Sequence, residues 1–342
     1  MPAFLLLLSG MGVLLLMFYD LCRTTISVAS AGPVTACLSH ALWHPARRIH
    51  EKFDTPWLLK TIGPCLAFLL LVMWVALSWL GWWLIFSSHS GAVVESNTRL
   101  IASPVELAYF IGFTITTLGY GDFVPSDSTW KLVAILAAIN GFSVFTLAVT
   151  YWLSIVTAVV KKRRLASSIA LLGPSPNIIL KRNRGEGDFD ILGSQVDKIV
   201  AELLELEQQQ RAYPILHYYH ADSVREALPV SLVRLYLSLK MVVHASPTLS
   251  PSSSCLIPMG IDAMEDFFHS LDIRGDKSPD VNLQAYMESG YNISDLDTPL
   301  YKTAPCLDDL PMKPMLSAYL AKEGWRWEQV WGQPLKNSSN VR

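Results

Sequence analysis

Thr114-Ile115-Thr116-Thr117-Leu118-Gly119-Tyr120-Gly121-Asp122 is a stretch of apolar and hydroxyl residues broken by two glycines. A regular helix should fail at Gly119-Tyr120-Gly121. Just upstream, Ser103-Pro104-Val105-Glu106 has the marks of a helix start. Serine caps, proline fits the first helical position, and a glutamate three residues after the cap reaches back to the cap amide. The helix expected over Val105–Thr116 makes only about three turns. A bilayer core of about 30 Å needs about 20 apolar residues in a helix, so this one does not cross. A short helix followed by irregular backbone, between two long apolar runs, reads as a re-entrant loop. Such backbone survives at membrane depth only where protein or a water-filled pore satisfies it.

The apolar runs lie on both sides. One extends from Ala3 to Tyr19 and can be prolonged towards Val28. A second runs from Trp57 to about Phe86, with no charge after Lys60. A third runs from about Thr129 to Val160 and has only Lys131, near its start. Trp57, Trp79, Trp82, Trp83, Trp130 and Trp152 fall mostly near segment ends, where interfacial belts form. The composition agrees with a membrane protein. Of 342 residues, 51% are hydrophobic and 16% charged, against roughly 25% charged in a soluble domain. The net charge of −2 gives no bias towards nucleic acid. The five cysteines are widely spaced and form no C-x-x-C pair, so free thiols are expected.

Charge sets an expected topology. Lys161-Lys162-Arg163-Arg164 closes the third segment, which places that end in the cytoplasm. The third segment then runs outside to inside, the second inside to outside, and the loop dips in from outside. The N-terminus is expected outside and the C-terminus in the cytoplasm. Ala29-Ser30-Ala31 resembles a signal cleavage site, but nothing basic precedes the apolar run. A retained span is the favoured reading of residues 1–28. A cleaved signal and an interfacial helix stay open. Residues 29–56 form a cytoplasmic linker. Between Ser39 and Lys52, either an amphipathic helix on the inner leaflet or a solvated connection fits the pattern.

The loop sequence resembles the selectivity filter of the potassium channel family, whose usual run is T-V-G-Y-G. Leu118 stands where valine or isoleucine is common. The physics suits the residue types. A dehydrated potassium ion needs an oxygen cage, which successive carbonyls supply if they all point to one axis. That demands alternating backbone handedness, and Gly119 and Gly121 reach positive φ without steric cost. The resemblance implies a pore domain over residues 57–164: outer helix, pore helix, filter and inner helix. It implies potassium at Thr117, Leu118, Gly119 and Tyr120, with Gly121 completing the filter and four chains around one axis. It also implies filter support by Tyr109, Phe110 and Asp122, with a Tyr109–Asp122 hydrogen bond as one form of that support. Gly141 matches the family's inner-helix hinge, although close helix packing also explains a membrane glycine. Some of Asn140, Thr146 and Thr150 should face the cavity. Some family members bury a glutamate where this chain has Phe113, so a buried carboxylate pair behind the filter is not expected.

No segment has arginine at every third position, so no voltage sensor of the usual kind is expected. Residues 165–342 contain no long apolar run and read as a mostly α-helical, cytoplasmic, regulatory domain. Helices are expected over Asp188–Gln210, Ala227–His244, Ile261–Leu271, Val281–Gly290 and Pro314–Trp327. Pro247–Pro251 and the serines after it read as a loop. His217 and His220 suit core packing better than a ligand site. Lys181, Arg182 and Arg184 form a solvated or lipid-facing basic cluster.

The fold expected is therefore membrane all-α, with a pore-loop module and a helical tail. The function expected is passive, potassium-selective conduction by a homotetramer in the plasma membrane, of the bacterial inner-membrane type, tuned by the tail. No enzyme, cofactor or nucleic-acid partner is expected. The lipid bilayer is a partner, and a ligand or protein at the tail is left open. The alternatives are a weakly selective cation channel and a membrane-anchored signalling or assembly protein.

Overall fold

The computed structural model describes residues 2–25, 31–53, 56–185, 189–245, 249–271 and 310–332. The chain divides into two compact units. One is Met1–Thr157 with Gln210–Tyr219, the other Ala158–Gln209 with His220–Arg342.

The first unit contains α1 (Pro2–Thr25), α2 (Pro33–Phe53), α3 (Pro56–Ser87), β1 (Val93–Glu95), α4 (Pro104–Ile115), β2 (Phe123–Pro125) and most of α5 (Ser128–Leu172). Among the described residues, three helices are long and apolar enough to cross a membrane: Ala3–Thr25, Thr61–Ser87 and Ser128–Leu172. These are the three expected spans. Helix α5 is longer than expected. At 45 residues it is about 68 Å long, roughly twice a bilayer core. Lys161–Arg164 sit within it and do not end it.

Helices α1 and α3 touch through small residues. A Cβ on Gly10 would lie 2.7 Å from the Gly81 carbonyl, and one on Gly81 would lie 2.7 Å from Leu14. Glycine lets the two backbones approach, as is common between membrane helices.

The presumed linker is a helix with a buried anchor. Asp20 is fully buried. Its carboxylate accepts from the amides of Val34 at 2.7 Å and Thr35 at 3.1 Å, and from the Thr35 hydroxyl at 2.7 Å. The Trp74 indole donates to it at 3.0 Å. A carboxylate at a helix N-terminus satisfies orphan amides and meets the positive end of the dipole. Asp20 thus caps α2 from α1 and joins both to α3. Gly32 makes room for it, since a Cβ there would lie 2.2 Å from the Asp20 carboxylate.

A small ribbon was not visible in the sequence. β1 and β2 pair antiparallel, with Val93 opposite Pro125 and Glu95 opposite Phe123. It ties the segment before α4 to the segment after the glycines.

Every named element among the described residues of the second unit is a helix. It holds α6 (Pro176–Asn183), the larger part of α7 (Asp190–Ala212), α8 (Leu228–Ala245), α9 (Pro251–Ser270), α10 (Lys313–Lys322) and the single turn α11 (Trp327–Val330). Every residue from Ala227 to Leu239 is buried. A helix buried on all sides is the centre of a core. Arg234 lies on it, and desolvation pushes its guanidinium down to about 10. It donates to the carbonyls of Val330, at 2.9 Å, and Gln329. Helix α9 begins ten residues before the expected Ile261. The serines read as a loop are its first turn, with Ser250 accepting from the Ser253 amide at 3.1 Å and Pro251 in the first position. The expected Pro314–Trp327 helix is two pieces, broken at Gly324, whose φ is 75°. The expected Val281–Gly290 helix lies outside the described residues.

The basic run Lys161–Arg164 of α5 lies in the second unit and meets carboxylates of that same unit. Lys162 and Glu323 form a buried pair at 2.8 Å, with side chains 6% and 8% exposed. Lys161 pairs with Glu205, and Arg164 with Glu202 at 2.6 Å. Arg163 lies 3.6 Å from Asp222 and 3.9 Å from Glu226.

Candidate ion-conduction site

Helix α4 begins as its sequence dictates. The Glu106 carboxylate accepts from the Ser103 amide at 2.7 Å, and the Ser103 hydroxyl accepts from the Glu106 amide at 3.4 Å. Pro104 fills the first position. The helix ends at Ile115. Thr116, the cap, donates its hydroxyl to the Gly112 carbonyl at 2.8 Å.

Beyond it the backbone alternates. Thr117, Gly119 and Gly121 have φ of 59°, 57° and 80°, while Leu118 and Tyr120 between them are not left-handed. Two of these three are the glycines the sequence singled out. Thr117 was missed. A β-branched residue at positive φ is an outlier, held here by its neighbours. Its amide donates to the Thr114 carbonyl at 3.1 Å, and the next amide, of Leu118, to the Phe113 carbonyl at 2.9 Å. Nothing lies within 4 Å of a Cβ built on Gly119 or Gly121. Conformation, and not crowding within one chain, calls for glycine there. All five residues from Thr117 to Gly121 are exposed in the single chain.

Aromatic rings stand behind this strand. Phe113 is buried and packs edge-on to Tyr109 at 5.2 Å, Phe110 at 5.3 Å and Tyr120 at 6.3 Å. Tyr109 stacks on Tyr120 at 6.4 Å. Phe110 is buried against Phe86 at 5.5 Å. The position where a carboxylate was ruled out is thus the centre of an aromatic cluster. The Tyr109 hydroxyl faces the Asp122 carboxylate, which acts on it both as a hydrogen-bond partner and as a nearby charge. Asp122 also accepts from the Phe123 amide at 3.1 Å, and its carbonyl accepts from the Ser96 amide at 2.7 Å.

Gly141 lies on the foot of this strand. A Cβ there would be 2.2 Å from the Ile115 carbonyl oxygen and 2.6 Å from its Cα. Close backbone approach alone accounts for the glycine. Its neighbour Asn140 turns towards α3, where it accepts from the Ser78 hydroxyl at 2.8 Å and the Trp82 indole at 3.0 Å. Thr146 and Thr150 donate to carbonyls one turn back in α5. A cavity of about 330 Å³ opens beside the strand's lower end, lined by Thr116, Thr117, Ser78, Gly141 and Phe145 among others.

Residues 69–158 match the family described as "Ion channel", the two-transmembrane pore-loop group. An "Uncharacterized membrane protein YdjJ" of Bacillus subtilis (strain 168) is 34% identical over 242 residues, which cover 70% of each chain. The chain belongs to the pore-loop ion channel family. No solved structure matches it. The family assignment fixes the parts: α3 is the channel's outer helix, α4 its pore helix and α5 its inner helix. Helices α1 and α2 precede the family match, and the second unit follows it almost entirely.

Proposed function

We propose that four copies of this channel surround one axis and conduct potassium selectively and passively. The carbonyls of Thr117, Leu118, Gly119 and Tyr120 cage the ion, and Gly121 completes the filter. The observation that carries this reading is the alternating left-handed backbone at Thr117, Gly119 and Gly121. Alternation turns successive carbonyls to one side, where they replace an ion's hydration shell. One chain supplies one strand, so a closed cage takes four. The C-terminal end of α4 points its partial negative charge at the strand's foot, which favours a cation. Tyr109, Phe110 and Asp122 support the filter, and Gly141 serves packing, bending or both. The chain lies in a plasma membrane with its N-terminus outside and its C-terminal unit in the cytoplasm, where that unit tunes opening. The protein needs no cofactor and is not an enzyme.

The test is ion flux into liposomes holding the purified full-length channel, with Gly119→Ala as control. Potassium uptake well above sodium uptake, lost in the variant, is expected. Equal uptake of both ions by the unaltered protein would leave a weakly selective cation channel.

A further inference from the structure

Trp79, Trp82 and Trp83 of α3 were expected near an interface. Their indole nitrogens donate to partners on neighbouring helices. Trp79 donates to the Ala108 carbonyl at 2.9 Å, and Trp83 to the Pro104 carbonyl at 3.2 Å. Donors four residues apart on α3 meet acceptors four residues apart on α4. The two helices are thus pinned in one antiparallel register. Ser78 and Trp82 form the adjoining stripe of α3, again four residues apart, and both donate to Asn140 of α5. The next residue, Gly141, touches Ile115, two positions before Thr117.

We propose that Trp79, Trp83 and Asn140 are positioning residues of the channel, forming a hydrogen-bonded frame on α3 that holds the pore helix and the inner helix at the depth where the filter begins. None of them touches the ion. They act by fixing α4 lengthwise and α5 in rotation, so that Ile115 and Thr117 stay in place. This inference rests on the potassium-selective reading for its effect on conduction, but not for its effect on the motion of α4. The Trp79 bond is also a clean one to remove. A helix carbonyl has two lone pairs, so Ala108 keeps a helical acceptor role when the indole is gone. The Trp79 ring rests 3.6 Å from where a Cβ on Gly112 would sit, and phenylalanine retains much of that face.

The experiment uses full-length protein in lipid nanodiscs. Amide hydrogen exchange is read over residues 104–121, with α1 and α8 as internal references, and the potassium-to-sodium flux ratio is read in liposomes. Trp79→Phe and Trp83→Phe should each speed exchange in 104–121 about fivefold, as expected for one hydrogen bond, with the references unchanged. Asn140→Leu should do the same. Asn140→Asp keeps the accepting oxygen and should stay near the unaltered protein. The flux ratio should fall severalfold in the first three variants. Unchanged exchange over 104–121 would overturn the frame, as would a rise shared by α1 and α8, which marks general loosening. An unaltered protein that passes both ions equally would contradict the selective reading, and the exchange result would still decide the frame.

Discussion

Gly141→Ala separates two roles that one glycine can play. A new Cβ would lie 2.2 Å from the Ile115 carbonyl oxygen and 2.6 Å from the Ile115 Cα and Cβ. Ordinary contacts lie at about 3.5–4.0 Å, so α5 or the end of α4 must move by at least about 1 Å. The neighbour is backbone and cannot swing aside as a side-chain tip does. Overpacking of this kind costs about 1–3 kcal/mol. Alanine returns about 1 kcal/mol of helix propensity. The net expectation is destabilisation by up to about 2 kcal/mol. Gly12, with nothing within 4 Å of a built Cβ, is the matched control. There alanine should be neutral or stabilising by up to about 1 kcal/mol. Thermal unfolding of the full chain in detergent reads the difference. Roughly 2–4 °C is expected for each kcal/mol, downward for Gly141→Ala and flat or upward for Gly12→Ala. Potassium flux should fall in the first variant, because Ile115 is two residues from Thr117. If both variants melt alike and only the opening of Gly141→Ala changes, the packing argument fails and the bending role stands.

Glu323→Gln or Lys162→Met breaks a buried ion pair by removing one of its charges, a change that costs about 3–5 kcal/mol; loss of helical circular dichroism at a lower temperature checks it, and an unchanged melt contradicts it. Ser103→Ala removes the α4 cap and should cost about 1 kcal/mol, seen as faster amide exchange in the first turn of α4. Glu265 gives a pH dependence. Burial raises its pKa, but the Lys240 ammonium and the Tyr236 hydroxyl outweigh burial and hold the carboxyl below its ordinary value. A lowered folded-state pKa contributes stability above the unfolded value of about 4.3 and loses it as pH falls through the folded value. Glu265→Gln should therefore flatten the fall in melting temperature below about pH 4.3.

The features visible in the sequence were the local ones. Three spans followed from apolar length, and the start of α4 from Ser103, Pro104 and Glu106, because a capping box closes within four residues. Gly119 and Gly121 marked the strand for the same reason. Thr117 escaped because nothing in its own chemistry asks for positive φ; the Phe113 and Thr114 carbonyls impose it through hydrogen bonds. The partners of the α3 tryptophans were not legible because an indole's partner depends on which helix lies beside it. Asp20 is the first charged residue after the Ala3–Tyr19 run, and only the return of α2 makes it a cap. The pairing of β1 with β2 leaves no alternation to read in three-residue strands. Ser252–Ser254 resembled a loop because serine is a weak helix former, yet Ser250 and Pro251 had already set a helix start. The carboxylates that meet Lys161–Arg164 come from positions as distant as Glu202 and Glu323, a separation no local pattern encodes.

The central claim is that the Thr117–Gly121 strand selects potassium. The most direct measurement is the reversal potential of the reconstituted channel in a planar bilayer, with potassium on one side and an equal concentration of sodium on the other. A potential displaced far towards the potassium equilibrium value, and moved to near zero by Gly119→Ala, is the predicted result. A reversal potential near zero in the unaltered channel would contradict the account.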